Sequence, residues 1–250
     1  MTVADAFRRA LASQLSPAML ALAIGPVVAA AVFWAVVMWW KWAAFLGVID
    51  TVIRKLPYMD TVVERLVFYG IQIVPGMLTL WILAAMFIPL TLVCALGFVS
   101  VAGMPLMLRH VAGRHFPALA RRRGGSLAGS LVNSLGALIR FLLLALISFP
   151  LWFVPVVGWL VLPLLLGRLN AGVLRYDALA DHASAREMAA LAADRALSWQ
   201  WLGFAGALLN VVPLFWFFST TLTGLAFIHY GLAALERRRV DLGEPADAVA

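Results

Sequence analysis

The chain has 250 residues, of which 64% are apolar or aromatic and only 12% charged, with a mean hydropathy of +0.97 and a formal net charge of +7. Ordinary soluble domains carry about a quarter charged residues, so this composition excludes a water-soluble globule, a disordered chain and a collagen, and it points to an integral membrane protein. The single cysteine, Cys94, excludes an intramolecular disulfide framework.

Stretches without Asp, Glu, Lys or Arg run over 10–40, 66–108, 124–139, 141–167 and 196–235, and a helix crossing the hydrocarbon needs about 20 apolar residues. Residues 1–16, with Arg8 and Arg9, predict an interfacial amphipathic lead-in. A cleaved leader is not expected, because the apolar run continues far past the length of a leader's core. Residues 17–40 predict helix one, ending at Lys41 with Trp39, Trp40 and Trp42 at an interface. Residues 41–65 are expected as an exterior loop, balancing Lys41, Arg54, Lys55 and Arg65 against Asp50, Asp60 and Glu64. The run 66–108 predicts one long second helix, tilted or broken at Pro75, Pro89 or Pro105, each of which removes a backbone donor. A basic cytoplasmic loop, 109–125, follows with Arg109, Arg114, Arg121, Arg122 and Arg123 and no acid.

Residues 126–178 predict a first helical hairpin, folded at the turn-forming sequence from Pro150 to Gly158. A connector spans 179–197, amphipathic from Ala178 to Arg195, and a second hairpin covers 198–235 with its tip near Pro213; a polar tail, 236–250, closes the chain. The first arm of hairpin two, about Trp199 to Asn210, is only about 18 Å long, too short to span. Both tips are uncharged and apolar, which predicts buried tips and hairpins that are re-entrant or partly penetrating, with irregular backbone shielded by protein. The expected fold class is therefore an all-α integral membrane protein, one domain over 1–250, with two long transmembrane helices and two such hairpins. This topology puts all four basic groups, around Arg8, Arg109, Arg186 and Arg237, on one side, which the positive-inside rule makes cytoplasmic along with both termini. Seventeen arginines against two lysines, with abundant alanine, is a composition associated with GC-rich bacterial genes.

The C-terminal half carries a recognisable pattern. A Pro-x-x-Gly tip (Pro155, Val156, Val157, Gly158) precedes the run from Arg175 to Met188. A Leu-Gly pair (Leu202, Gly203), a Val-Pro-Leu tip (Val212 to Leu214) and a closing Gly-x-Ala-x-x-His-Tyr (Gly224 to Tyr230) follow, and Ser16-Pro17 stands before helix one. In these features the chain resembles the EI24-domain family and its CysZ-like sulfate permease branch. The resemblance implies an α-helical bacterial inner-membrane protein with two long membrane helices and two partly penetrating hairpins, forming a homo-oligomer and passing sulfate into the cytoplasm. The permease branch carries an Arg-Arg pair, associated with anion binding, three and four residues after the proline that precedes helix one. Those positions here are Leu20 and Ala21, which puts sulfate specificity in question.

The candidate anion path comprises Ser126, Ser130, Asn133, Arg140, Arg168, Asn170 and Arg175. Ser126, Ser130, Asn133, Ala137 and Arg140 share one face of a helix, within about 80°, and hydroxyls with a guanidinium can replace an anion's hydration oxygens. The alternative is a packing seam, with Gly125 and Gly129 in GxxxG spacing and Arg140 snorkelling to head groups; packing is the commoner device. Arg168, Asn170 and Arg175 either form a basic cytoplasmic mouth or lie at the interface, Arg175 pairing with Asp177. Asp177, Asp181 and His182 superficially suggest a metal or proton-relay site, but with no second ligand pair they are expected to be solvated. His110, His115 and His229 are expected at interfaces. No cofactor is expected. A P-loop, GxSxG, HExxH and a cysteine cluster are all lacking from the sequence, so an enzyme is not expected. The dispersed arginines fit anionic lipids rather than nucleic acid, and sulfate or another oxyanion is the expected small-molecule partner.

Overall fold

The computed structural model describes residues 1–55, 103–210 and 216–243, with isolated helical positions between 61 and 94. Among them every regular element is helical. In chain order they are α1 (Val3–Gln14), α2 (Pro17–Trp40), α3 (Trp42–Lys55), α4 (Met104–His115), α5 (Leu127–Ile147), a 3-10 turn (Phe149–Phe153), α6 (Val157–Leu179), α7 (Ala185–Asp194), α8 (Ala196–Leu209) and α9 (Trp216–Asp241). Among the described residues four stretches are long and apolar enough to cross a membrane: Pro17–Trp40, Leu127–Phe153, Val157–Leu179 and Phe218–Asp241. The chain forms two compact units, Met1–Ala23 with Val101–Ala250, and Ile24–Ser100.

The larger unit is built around α9, against which α1, α4, α6 and α8 pack. Leu225, Ile228, Leu232 and Leu235 recur at three- and four-residue spacing on α9, and all are fully buried. Trp199 of α8 lies between Phe227, stacked at 5.7 Å, and Tyr230, edge-on at 4.9 Å, and its indole N–H donates to the Leu191 carbonyl at 3.0 Å, which satisfies the one polar atom of a buried tryptophan. α6 and α8 cross where Gly167 meets Gly203. A Cβ on Gly167 would lie 2.8 Å from Phe204 Cα, and one on Gly203 would strike the Gly167 carbonyl oxygen. Only residues without a side chain permit that approach. α1 starts at a capping box, Thr2 with Asp5, and buries Ala6, Ala10, Ser13 and Gln14 while Arg8 and Arg9 stay exposed.

In the smaller unit, α2 beyond Ile24 shows its apolar side chains outward: Val28, Val32, Phe33, Val36, Trp39 and Trp40 are all exposed. Lys41 sits over the Trp40 ring at 4.6 Å. The stretch expected as an exterior loop over 41–65 instead carries α3. Its apolar residues Trp42, Phe45, Leu46, Ile49 and Ile53 recur at helical spacing, and that period outweighs the balanced charges as a folding signal. The greater part of the expected second helix, 66–108, with Pro75 and Pro89, lies outside the described residues.

Three further corrections fall in the larger unit. The basic segment 109–125 is helical as far as His115, because Met107, Leu108, Val111 and Ala112 give α4 a buried face; Pro105, expected as a kink, stands in that helix's first turn, where its missing N–H is not needed. The tip of hairpin one is not buried within the chain: Phe153 is 75% exposed and Trp159 81%, so an apolar tip here faces outward. Its backbone is tight, with Val156 at φ 69°, a conformation costly for a β-branched residue. The tip of hairpin two, 211–215, lies outside the described residues.

Candidate functional site

Hairpin one rises from a seam between α5 and α6. Ser126 caps α5 by accepting from the Gly129 N–H at 3.0 Å, and its own N–H donates to the Tyr176 hydroxyl at 3.3 Å. One turn on, Ser130 Oγ donates to Asp177 Oδ1 at 2.6 Å, and Asn133 Nδ2 donates to the Gly172 carbonyl at 2.8 Å. A Cβ on Gly125 would crowd Ala180, one on Gly129 would strike the Tyr176 hydroxyl, and one on Gly172 would lie 3.2 Å from Ala137. The small and polar face of α5 thus turns to α6, and its donors are spent inside the hairpin. Such bonds hold two helices in register where the alternative is an unsatisfied group in hydrocarbon.

The arginines of the candidate set lie differently. Arg140 and Arg168 are exposed, Arg175 is half-buried and within electrostatic range of Arg140, and Asn170 is half-buried. The expected pair between Arg175 and Asp177 does not form: the Asp177 carboxylate accepts from Ser130, and no carboxylate lies within ion-pair reach of Arg140, Arg168 or Arg175 among the described residues. Arg140 falls midway along Leu127–Phe153 and Arg168 midway along Val157–Leu179, so the hairpin carries two unneutralised cations at the middle of its apolar length.

At the hairpin's root lies an ion-pair network unforeseen in the sequence. Arg239 is completely buried, and its guanidinium donates to both Glu187 oxygens at 2.8 and 3.2 Å, to the Ala120 carbonyl at 3.0 Å and to the His182 carbonyl at 2.7 Å. Arg122 adds a second contact to Glu187 at 3.1 Å. Burial alone would raise the Glu187 pKa, but the bonds from Arg239 and the Ser184 backbone outweigh it and hold the carboxyl below its ordinary range. The backbone joins in: the N–H groups of Arg122, Arg123, Gly124 and Gly125 donate to the carbonyls of His182, Asp181, Ala183 and Ala180. Arg239 continues the spacing of Leu225, Ile228, Leu232 and Leu235, and that period distinguishes it from Arg237 and Arg238.

Two expectations about titratable groups are corrected here. His182 is buried rather than solvated, because the turn after α6 folds under the arginine network; burial, then the neighbouring Arg121 charge, pushes its pKa down. Asp177 is half-buried, and only Asp181 of that trio is exposed. His229 lies in the body of α9, fully buried, 2.9 Å from Ser13 Oγ and edge-on to the His115 ring at 5.0 Å, so it joins α1, α4 and α9 rather than marking an interface. No group of three or more metal-ligating side chains gathers among the described residues.

No curated protein and no solved structure matches the chain. The family model described as sulfate transporter CysZ/etoposide-induced protein 2.4 matches residues 6–220, a stretch that includes the seam, the unneutralised arginines and Glu187 but stops short of Arg239. With apolar helices long enough to cross a bilayer, the chain is a multi-pass membrane protein and belongs to the EI24 family.

Proposed function

We propose that the protein is a CysZ-like permease of the bacterial inner membrane, passing sulfate or a related oxyanion by passive or gradient-coupled flux, with both termini cytoplasmic. The observation that carries this reading beyond family membership is the pair Arg140 and Arg168, held at mid-length on the two arms of the hairpin, with Arg175 two turns nearer its root, and no carboxylate partner for any of the three among the described residues. Exposed charge at such a position is costly unless it meets water or a counter-anion, and guanidinium groups suit oxyanions. Ser130 and Asn133 support the site by fixing α5 on α6 rather than by contacting the ion. The supporting test is radiolabelled sulfate uptake into proteoliposomes of the full chain. Uptake above empty vesicles, depressed about tenfold or more in Arg140→Gln through loss of a charge-assisted contact, supports the reading. Flux equal to empty vesicles across several oxyanions rejects it.

One observation favours a second reading. Leu20 and Ala21 in the first turn of α2 offer no charge where the permease branch has its arginine pair, as a non-transporting membrane scaffold or lipid-interacting member of the family would have it. Complete absence of flux with intact folding selects that reading.

A further inference from the structure

α1 is held to the rest of its unit by small side chains and one polar contact. It packs chiefly on α9, and its buried face is Ala6, Ala10, Ser13 and Gln14, while Met1, Val3 and Phe7 are only partly covered. Two alanine methyl groups bury little apolar surface. Gln14 is 3% exposed, yet neither the nitrogen nor the oxygen of its amide is hydrogen-bonded, which opposes docking. What closes the joint is His229 of α9, whose Nε2 lies 2.9 Å from Ser13 Oγ in a buried contact. α1 ends at Gln14 and a span starts at Pro17, so Leu15 and Ser16 form the hinge about which the helix can leave.

The surroundings of the His229 ring suit it only when it is neutral. It is fully buried, its Nδ1 has no partner, the His115 ring stands edge-on at 5.0 Å and the Phe116 ring is tilted against it at 6.5 Å. The charged and titratable groups that reach it are Arg9 of α1 and His110 and His115 of α4; α6, α7 and α8, packed on the same helix, bring no charge to the ring. No carboxylate lies within ion-pair reach of His229 among the described residues. A second ring proton would therefore be a buried charge without a counter-ion, among groups of like sign. His115 meets the same obstacle: burial first, then Arg114, Arg9 and His110, hold its pKa below the ordinary histidine value.

We propose that α1 is a pH-released clasp, docked on α9 while His229 is neutral and freed when the His115–His229 pair takes up a proton. Once α1 leaves, both rings meet water and titrate at the ordinary value of about 6.5. Docking is therefore complete above that value, and each pH unit below it shifts a one-proton equilibrium by up to about tenfold toward the free form. The clasp uses none of the arginines of hairpin one and does not depend on transport.

The test is amide hydrogen exchange of the full chain in detergent at about pH 7.5 and about pH 5.5, on either side of the histidine range, with times scaled for the intrinsic exchange rate. Protection of the α1 amides from Ala10 to Gln14 should fall about tenfold at the lower pH, while that of Leu202 to Ala207 in α8 holds. His229→Gln keeps a hydrogen-bonding group for Ser13 but cannot take up a proton, and its α1 protection should be equal at the two pH values. His115→Glu, at an exposed position, sets a carboxylate beside the His229 ring and should likewise remove most of the loss, which a merely structural histidine would not do. Equal melting temperatures at the higher pH establish that the variants are folded. Unchanged α1 protection in the wild type overturns the proposal without recourse to any variant. So does a loss in α8 as large as that in α1, which would mark general unfolding, or a loss as large as the wild type's in either folded variant.

Discussion

α5 and α9 both belong to stretches able to cross a membrane, yet their surroundings are opposite. None of the apolar window over Leu127–Phe153 is buried in the protein, whereas 83% of the window over Phe218–Asp241 is. The buried helix is also the less apolar of the two, with Ser219, Thr221, Thr223, His229 and Arg239 all inside. In water the more apolar helix goes to the centre. In lipid a leucine gains little by leaving hydrocarbon for protein, so what drives a helix inward is close contact and satisfied polar groups. α9 offers both: Thr223 packs so closely on Gly206 that a Cβ there would have no room, and Ser219 donates to Asn210. α5 offers them on one narrow strip, where Ser130 and Asn133 meet α6, and leucine elsewhere.

That contrast is most sharply tested at Arg239. Arg239→Met removes the fully buried partner of Glu187, which keeps only Arg122 and the Ser184 N–H, and takes the side-chain donor from the Ala120 and His182 carbonyls, so it should destabilise by about 3–5 kcal/mol. Leu142→Ala, at an exposed position of α5, should fall within about 0.5 kcal/mol. Thermal melting in detergent measures both, and comparable losses would show that α5 is packed in the folded protein after all.

Smaller effects sharpen the same point through glycine. Gly203→Ala pushes a methyl group into the backbone of α6 and should cost about 1–3 kcal/mol. Gly136→Ala on α5 meets nothing within 4 Å and should stabilise by up to about 1 kcal/mol through helix propensity. If the two melting shifts share a sign, the close crossing of α6 and α8 is not what holds them.

The smallest effect is one of pH. The Glu187 pKa is depressed in the folded state, so the unfolded chain binds this proton more readily; its contribution is complete above the unfolded value of about 4.3 and is lost as pH falls through the folded one. His182 and His115 are also depressed, both chiefly by burial. They favour folding above about pH 6.5, and that contribution declines as pH drops below it. The melting temperature should therefore fall in two stages on acidification. Glu187→Gln should flatten only the lower stage and His182→Gln only part of the upper; a profile unchanged by Glu187→Gln would remove the carboxylate from the network at the hairpin's root.

Much of the fold was legible because charge gaps mark what lipid can accept. The all-helical class and apolar spans follow from those gaps, and the family from the Pro155 to Gly158 tip together with the C-terminal pattern. The α3 helix is hidden in the sequence because its balanced charges suggest an exposed loop, whereas the helical spacing of Phe45, Leu46, Ile49 and Ile53 is the stronger signal. The buried His229 and Arg239 were missed for a related reason. A polar residue in a lipid-soluble tract gives no sign of which side it faces until the heptad of its neighbours is followed, and for Arg239 that heptad runs back to Leu225. The seam at Ser130 and Asn133 was visible as a stripe, but its partners, Asp177 and the Gly172 carbonyl, lie on the other arm and become neighbours only through the hairpin's register.

The order in which the chain is made gives the arginine network a temporal side. Ala120, His182 and Glu187 all leave the ribosome well before residue 239, so these acceptors lack their shared donor until nearly the whole polypeptide has emerged. The arginine network at the base of hairpin one is therefore completed last, by a side chain supplied from beyond the residues that the family model matches, and nascent intermediates leave open a joint that the finished molecule hides.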